Sequence, residues 1–162
     1  MSESAEEHRN VIRVRQAAAE LGLELDVRRF PEGTKTAADA ARAIGCPVGA
    51  IVKSLIFAVD GEVVLALVSG ANQLDEAKLA AAAGGTRCSR VDADRVRTAT
   101  GFPIGGVPPI GLATPVREFL DEDLLAYPTV WAAAGTWHDV FPIDPRELAR
   151  ASGGWVGALR RG

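Results

Sequence analysis

Histidine and cysteine, the side chains that most often bind transition metals or carry catalysis, are almost absent from this sequence. Only His8, His138, Cys46 and Cys88 occur among its 162 residues. This leaves almost nothing for a histidine-based metal site, a zinc site of paired cysteines or a Ser-His-Asp triad. The cysteines are interpreted as two buried thiols of a cytosolic protein, with a single disulfide as the open alternative. The sequence therefore predicts neither a metal nor a cofactor.

Common catalytic motifs and targeting segments are also missing. The sequence contains no G-x-S-x-G, H-E-x-x-H, Walker A or Rossmann glycine pattern. Its first eight residues are acidic and polar, unlike a signal peptide, and Lys53, Asp60 or Glu62 interrupts its longest apolar stretches. These absences predict a cytoplasmic protein that crosses no membrane.

An excess of positive charge is lacking as well. Acidic residues number 21 against 18 basic ones, for a net charge of −3, whereas proteins that coat nucleic acid by bulk charge are basic. We therefore expect no DNA binding, and any contact with a polyanion must come from a local patch. Lys35, Lys53 and the arginines of segment 87–97 are candidates, although those arginines also fit a solvated helix face.

What is present is typical of one globular domain. The chain is 48% hydrophobic and 24% charged, and its length lies within the range of about 100–200 residues of a single domain. No repeat, linker or composition shift divides it. The sequence thus predicts one domain over residues 1–162, with the glycine-rich residues 153–162 as a frayed tail.

Hydrophobic periodicity predicts helices mixed with antiparallel strands. Asp60-Gly61 between two apolar runs is a strong signal for a two-residue hairpin turn. The mixture favours a compact α+β fold, a mixed and mostly antiparallel central sheet flanked by helices, over a doubly wound parallel sheet. The predicted helices span 4–22, 36–45, 72–83, 92–100 and 145–152, and the predicted strands span 23–30, 51–59, 62–68, 114–120, 129–134 and 139–143.

Lys53 is the first residue whose place the fold alone does not explain. In a strand it shares a face with Ile51, Leu55, Phe57 and Val59, and an unpaired buried charge is costly. One interpretation is an edge-strand lysine that reaches solvent along its stem. The other is a cationic anchor at the floor of a pocket, directed at a phosphate or a carboxylate.

Segment 101–111 is the second unusual feature. Its four glycines and three prolines are incompatible with a helix or a central strand, yet its other residues are largely apolar. Such a loop holds its N–H groups in one arrangement and can bind a carbonyl or phosphate as an oxyanion hole does. A rigid structural crossover between strands is the alternative.

His138 lies in a predicted tight turn between two strands. There it is either an acid, base or hydrogen-bond donor or an ordinary surface histidine. Trp131 and Trp155 are interpreted as packing groups rather than as platforms for stacking nucleotide bases.

Together these motifs resemble the YbaK family, which includes freestanding aminoacyl-tRNA deacylases and the editing domain of bacterial prolyl-tRNA synthetases. The I-V-K-[ST]-L strand, followed about fifty residues later by the G-x-x-x-G-G-x-x-P-x-G loop, is specific as a pair. The resemblance runs from about residue 20 to about residue 152. It is carried by Thr36–Ala41, Ile51–Phe57, Gly101–Gly111 and Ala134-Gly135.

The resemblance implies an α+β domain with a partly barrel-like sheet that hydrolyses the ester joining a wrong amino acid to a tRNA 3′ end. The implied substrate is tRNA for proline carrying a small amino acid such as alanine or cysteine. Prolyl-tRNA synthetase or an elongation factor is the candidate protein partner. On this basis Lys53, Gly105 and Gly106 are assigned to catalysis. The candidate substrate-binding residues, from the motifs and from neighbouring apolar positions, are Phe30, Thr36, Ile51, Ser54, Gly101, Phe102, Val107, Pro108, Gly111, Gly135 and His138.

The scarcity of catalytic side chains fits this reaction, because an aminoacyl ester is already activated. Positioning a water and stabilising the oxyanion suffice without a protein nucleophile. We hypothesise that N–H groups around Gly105–Val107 polarise the carbonyl while Lys53 orients the substrate. Two alternatives stay open: a non-catalytic module that binds a nucleotide or tRNA end, and a hydrolase of another small aminoacyl ester.

Overall fold

The computed structural model of the protein describes residues 3–34 and 36–162. Within these residues the chain forms five α-helices and eight β-strands, with two short 3-10 turns at Val48–Ala50 and Glu122–Ala126. In chain order the elements are α1 (Glu3–Glu20), β1 (Arg28–Arg29), α2 (Ala37–Ile44), β2 (Val52–Val59), β3 (Glu62–Ser69), α3 (Glu76–Ala82), β4 (Cys88–Arg90), α4 (Ala93–Thr100), β5 (Arg117–Asp121), β6 (Val130–Ala133), β7 (Asp139–Ile143), α5 (Pro145–Ala151) and β8 (Val156–Gly157).

The strands form two sheets, ordered β4-β2-β3-β5-β8 and β1-β7-β6. Neighbouring strands are antiparallel except for the parallel pairs β3–β5 and β5–β8. A parallel bridge between Ile51 and Trp131 joins the start of β2 to β6 and so connects the sheets. The predicted single α+β domain, with a mixed and mostly antiparallel sheet flanked by helices, is confirmed.

The β2–β3 hairpin forms the centre of the larger sheet, as predicted. Asp60 and Gly61 both have positive φ, 49° and 87°, which is the conformation that a two-residue type I′ turn requires. β3 is covered on both faces because its side chains alternate between two hydrophobic clusters. Leu65 and Leu67 belong to the cluster that contains α1, and Val64 and Val68 belong to the cluster that contains α3.

Several element boundaries differ from the predictions. Within predicted strand 23–30 only Arg28–Arg29 pairs, with β7, because the residues before it pack on the core without a strand partner. The predicted helix at 72–83 begins at Glu76, after an Asp75 cap. The first helix begins at Glu3, one residue before the Ser4 predicted as its cap.

The prediction of a frayed tail at residues 153–162 is wrong. Val156–Gly157 extends the sheet beside β5, and Leu159 is fully buried in the cluster that contains α3. The N–H of Asp75 donates to the Leu159 carbonyl at 2.7 Å, and the N–H of Arg161 donates to the Gln73 carbonyl at 2.9 Å. One buried leucine and these backbone bonds outweigh the conformational freedom that the glycines give the segment.

Glu118 of β5 carries a carboxyl group in an unusual environment. Its Oε1 is buried and has no hydrogen-bond partner within the described part of the chain. Burial raises the pKa of this carboxyl to about 9, against an ordinary value of 4.5. Glu118 is therefore protonated in the folded protein at neutral pH, whereas the unfolded chain releases that proton.

We predict that the stability of the domain falls as pH rises from about 5 to about 9. The folded state binds one proton more than the unfolded state over this window, so the slope reaches at most about 1.4 kcal/mol per pH unit. Urea unfolding at a series of pH values measures it. Glu118→Gln will flatten the profile, whereas Glu122→Gln, at an exposed position of the following turn, will not. A profile that Glu118→Gln leaves unchanged contradicts the assignment.

Candidate functional site

The open edge of β2 is the most distinctive feature of the larger sheet. β4 pairs with β2 only along Phe57–Val59. On the same side, β6 makes a single bridge, from Trp131 to Ile51, the residue that precedes β2. Among the described residues, no strand pairs with 52–56 on that side. Two cavities of about 570 and 390 Å³ open along this gap. They share Lys53, Ser54, Leu55, Ile104 and Val107, so we treat them as the larger and smaller lobes of one β2-edge cavity.

The two lobes differ in chemistry. The smaller lobe is lined mainly by small and apolar residues, with the hydroxyl residues Thr34 and Thr36 at one side. The larger lobe carries charged side chains besides Lys53, namely Glu76, Arg90 and Arg161. Both lobes therefore have a mainly apolar wall, but the larger one also carries three cationic side chains and one carboxylate, and Lys53 lines both lobes.

Lys53 points into this cavity from the face of β2 that it shares with Leu55 and Phe57, as predicted. Its side chain is half-buried, and its Nζ donates to the carbonyl of Asn72. Burial lowers the pKa of Lys53, and the negative charge of Asp121 opposes that change. The position matches a cation at the floor of a pocket, with its ammonium bonded to a protein carbonyl.

A partly buried polar network around Asp121 holds the carbonyl that Lys53 contacts. Asn72 Nδ2 donates to Asp121 Oδ2 at 2.9 Å and to Asp123 Oδ2 at 2.8 Å. Asp121 is fully buried and also accepts the N–H of Ser69 at 3.1 Å. Sequence reasoning missed this network because Asn72 was expected inside a helix and its partners lie about fifty residues away in the chain.

The glycine–proline loop reaches the cavity through a tight turn. The N–H of Gly106 donates to the Pro103 carbonyl at 2.9 Å, and Gly105 has φ +86°, as the third residue of a type II turn requires. The N–H of Gly106 is thus used within the turn, and the assignment of Gly106 to catalysis stays a prediction. The N–H groups of Gly105 and Val107 donate to no protein acceptor within the described chain, and both residues line the cavity.

A second loop, residues 134–138, supports this turn from behind. Trp137 Nε1 donates to the Ile104 carbonyl at 2.7 Å. A Cβ added to Gly106 would lie 3.0 Å from Thr136 Cα, and one added to Gly135 would lie 3.0 Å from a ring carbon of Phe102. Gly106 and Gly135 thus allow the two loops to pack closely, and neither lines the cavity.

His138 is absent from the lining of the β2-edge cavity, and its assignment to substrate binding stays a prediction. Its Nδ1 is 3.2 Å from the Phe30 carbonyl, and its Nε2 is 3.8 Å from a Glu7 carboxylate oxygen. It lines a separate cavity of about 150 Å³ beside α1. The ring therefore lies between α1 and the Phe30 segment.

The structure brings part of the predicted set together. Thr36, Ile51, Lys53, Ser54, Gly105 and Val107 line the β2-edge cavity. Ser54 Oγ is buried without a hydrogen-bond partner among the described residues, an arrangement that a bound polar group would satisfy. Thr36 also caps α2, because its hydroxyl accepts the N–H of Asp39 at 3.1 Å.

The remaining predicted residues lie outside the cavity. Phe102 is fully buried in the core, and Pro108 is buried as well. Gly101 caps α4 with φ +82°, and its carbonyl accepts Arg13 Nη1 at 3.3 Å. Gly111 packs on α1, where a Cβ would lie 3.3 Å from that of Ala17. Phe30 and the two supporting glycines, Gly106 and Gly135, are likewise absent from its lining.

Sequence reasoning missed several cavity residues. Ile104 is 54% exposed and lines both lobes, and a large apolar side chain inside a glycine-rich turn was its available signal. Arg90 was placed among the arginines that fit either a polyanion-binding patch or a solvated helix face, and Arg161 was assigned to a frayed tail. Lys35, proposed for a tRNA-binding patch, lies outside the described residues.

Cys46 and Cys88 are free, partly buried thiols, so the disulfide alternative is not formed. Burial raises the pKa of Cys88 to about 11. None of the helices described is long and apolar enough to cross a membrane. No group of three His, Cys, Asp or Glu side chains in the described chain is placed to hold a metal ion.

The fold and the site define an α+β domain with a lysine and a glycine-rich turn facing a cavity at an open sheet edge. Residues 31–151 match the model of the aminoacyl-tRNA editing domain, and the chain belongs to this family. The resemblance drawn from the Lys53 strand and the glycine–proline loop is thereby confirmed.

Three relatives illustrate the range of the family. The uncharacterized protein YwhH of Bacillus subtilis (strain 168) is 31% identical over 139 residues, which cover 86% of this chain and 88% of YwhH. A proline–tRNA ligase of Maridesulfovibrio salexigens is 36% identical over 107 residues, but the match spans only 18% of the ligase. A crystal structure described as a proposed trans-editing enzyme for prolyl tRNA synthetase is 45% identical, with a TM-score of 0.89, covering 94% of this chain and 98% of that one.

Proposed function

We propose that this protein is an aminoacyl-tRNA deacylase that removes wrong amino acids from tRNA in trans. One observation carries the proposal: Lys53, Gly105 and Val107 all line the smaller lobe at the open edge of β2, and the N–H groups of Gly105 and Val107 have no protein acceptor within the described chain. Membership of the editing family and the 45% identity to the proposed trans-editing enzyme support it. The site of action is the cytoplasm, where aminoacyl-tRNA is used.

The proposed reaction is ester hydrolysis. The oxygen of a water attacks the ester carbonyl carbon, negative charge develops on the carbonyl oxygen, and the bond to the ribose oxygen breaks. The ribose oxygen takes one proton of the water and leaves as a hydroxyl, the other proton passes to solvent, and the amino acid leaves as its carboxylate. The N–H groups of Gly105 and Val107 are suited to stabilising the oxyanion, and the Lys53 ammonium is suited to orienting the aminoacylated terminus.

The smaller lobe is proposed to take the amino acid. Small side chains line much of it, namely Ala37, Ala40, Ala132 and Ala133, so an unbranched small residue such as alanine or cysteine fits the chemistry of its wall. Similarity to proline–tRNA ligases favours tRNA for proline as the carrier. One methylene contributes only about 1–3 kcal/mol of discrimination, so we expect graded rather than absolute selectivity.

A panel of charged tRNAs tests the proposal. We expect the purified protein to deacylate alanyl- and cysteinyl-tRNA for proline at least tenfold faster than prolyl-tRNA. Release of the labelled amino acid measures the rate, with spontaneous hydrolysis subtracted. No turnover of any member, together with binding of the tRNA end, would instead identify a binding module. Turnover of small aminoacyl esters without preference for tRNA would identify the other hydrolase.

A further inference from the structure

Two arginines in the larger lobe take no part in the proposed ester chemistry. Arg90 and Arg161 line this lobe together with Lys53, and Glu76 is the carboxylate among its described lining residues. Ten ion pairs occur in the described part of the chain, and neither Arg90 nor Arg161 belongs to any of them. The lobe therefore presents two guanidinium groups without a carboxylate partner.

Arg161 is held in place by hydrogen bonds rather than by an opposite charge. Its N–H donates to the Gln73 carbonyl at 2.9 Å, its Nε to the Leu74 carbonyl at 3.1 Å, and its Nη1 to the Gln73 side-chain oxygen at 3.3 Å. The buried Leu159 anchors the same segment in the core. These contacts fix the guanidinium at the cavity while leaving Nη2 without a protein acceptor in the described chain.

Arg90 lines the same lobe from β4. It lies on β4 directly across from Phe57, so it shares the face of the sheet that carries Lys53. Its side chain is exposed, and within the described residues it makes no hydrogen bond to a carboxylate. The lobe of about 570 Å³ is thus bordered by Lys53, which also lines the smaller lobe, and by the two arginines, which do not.

We propose that Arg90 and Arg161 bind the phosphodiester next to the terminal nucleoside of the substrate RNA. Guanidinium groups recognise phosphate through paired N–H donors, and contacts of this kind position a nucleic acid without reading its sequence. The inference rests on the proposed function, which places the aminoacyl ester at Lys53. With the aminoacyl ester at Lys53, the terminal nucleoside occupies the larger lobe. The phosphate attached to that nucleoside then lies beside the two arginines. A protein with a slightly negative net charge thus binds RNA through a local cationic site.

Two substrates separate phosphate binding from ester chemistry. Alanyl-tRNA for proline carries the phosphodiester, and the alanyl ester of adenosine lacks it. Arg161→Met and Arg90→Met will each lower kcat/KM for the tRNA about tenfold or more, mainly through KM, and will change the adenosine ester less than twofold. Arg150→Met, which removes an exposed charge from α5, is the matched control. Arg161→Lys keeps the charge and will retain part of the tRNA activity.

If the protein hydrolyses neither substrate, the proposed function is rejected but the phosphate-binding inference is not. A direct binding measurement then tests that inference. Fluorescence anisotropy will show that a short RNA ending in CCA binds more weakly to both arginine variants. The slope of log Kd against log salt will be shallower by about 0.7 for each lost contact. Equal losses on RNA and on adenosine, or no loss on RNA, would overturn the inference. Equally tight, arginine-dependent binding of AMP would show that a free nucleotide, rather than an RNA backbone, is the ligand.

Discussion

Lys53→Ala will reduce kcat/KM for deacylation at least 100-fold while the domain stays folded. Lys53 is the cation that lines both lobes, and its Nζ is held by the Asn72 carbonyl on a partly buried network. Removing one preorganised electrostatic contact from an active site typically costs about 10²–10³ in rate. Deacylation of alanyl-tRNA under single-turnover conditions measures the effect.

Loss of folding is not expected to contribute to this result. Lys53 is only half-buried and belongs to none of the ion pairs in the described chain, so we expect Lys53→Ala to keep a cooperative thermal unfolding transition. Lys53→Met, which keeps the stem, will be equally inactive. Arg146→Met, which removes an exposed charge from α5, will retain full activity. A folded Lys53→Ala protein with wild-type activity would reject the assignment.

Gly105→Ala will lower kcat/KM for deacylation about 10- to 100-fold. A Cβ at Gly105 would lie 2.8 Å from Trp137 Nε1, the atom that donates to the Ile104 carbonyl at 2.7 Å. Relief of this collision moves either the turn or the indole, and both movements displace the N–H groups of Gly105 and Val107. A displacement of about 1 Å in an oxyanion site is enough for a loss of this size.

Gly61→Ala is the control that separates the collision from backbone strain. Gly61 has φ +87°, nearly the same as the +86° of Gly105, and a Cβ there meets no atom within 4 Å. Both substitutions carry the left-handed penalty of about 1 kcal/mol in stability, and thermal unfolding measures it. Only Gly105→Ala will lose activity. Equal activity of the two variants would show that the turn does not position the reacting groups.

The predicted secondary-structure elements agree with the structure where the local sequence signals are strong. Asp60-Gly61 joins two long apolar runs, and the hairpin formed with the turn type that this dipeptide favours. Thr36 and Asp39 predicted the start of α2, and the hydroxyl does cap it. These features depend on residues close together in the chain, so their physical cause is visible in the sequence.

The candidate site was predicted only in part. Lys53 and Ser54 line the cavity because they lie on the unpaired edge of β2, and Ile51 lines it because it directly precedes that strand. Gly106 and Gly135 were assigned to the site, and the structure shows both at the close contact between the two loops. Composition indicates that backbones approach closely without showing what they approach. His138 was assigned to substrate binding from the sequence, and in the structure it lies between α1 and Phe30.

The sequence by itself determined the α+β class, the hairpin and the two motifs that identify the editing family. It did so because periodicity, turn chemistry and motif spacing are local properties of the chain. Only the tertiary structure decided which residues share the cavity. The buried Asp121 fixes Asn72 across a long separation, and the buried Leu159 brings Arg161 to the larger lobe. Such contacts depend on which faces of distant elements exclude water together, and no local pattern encodes that.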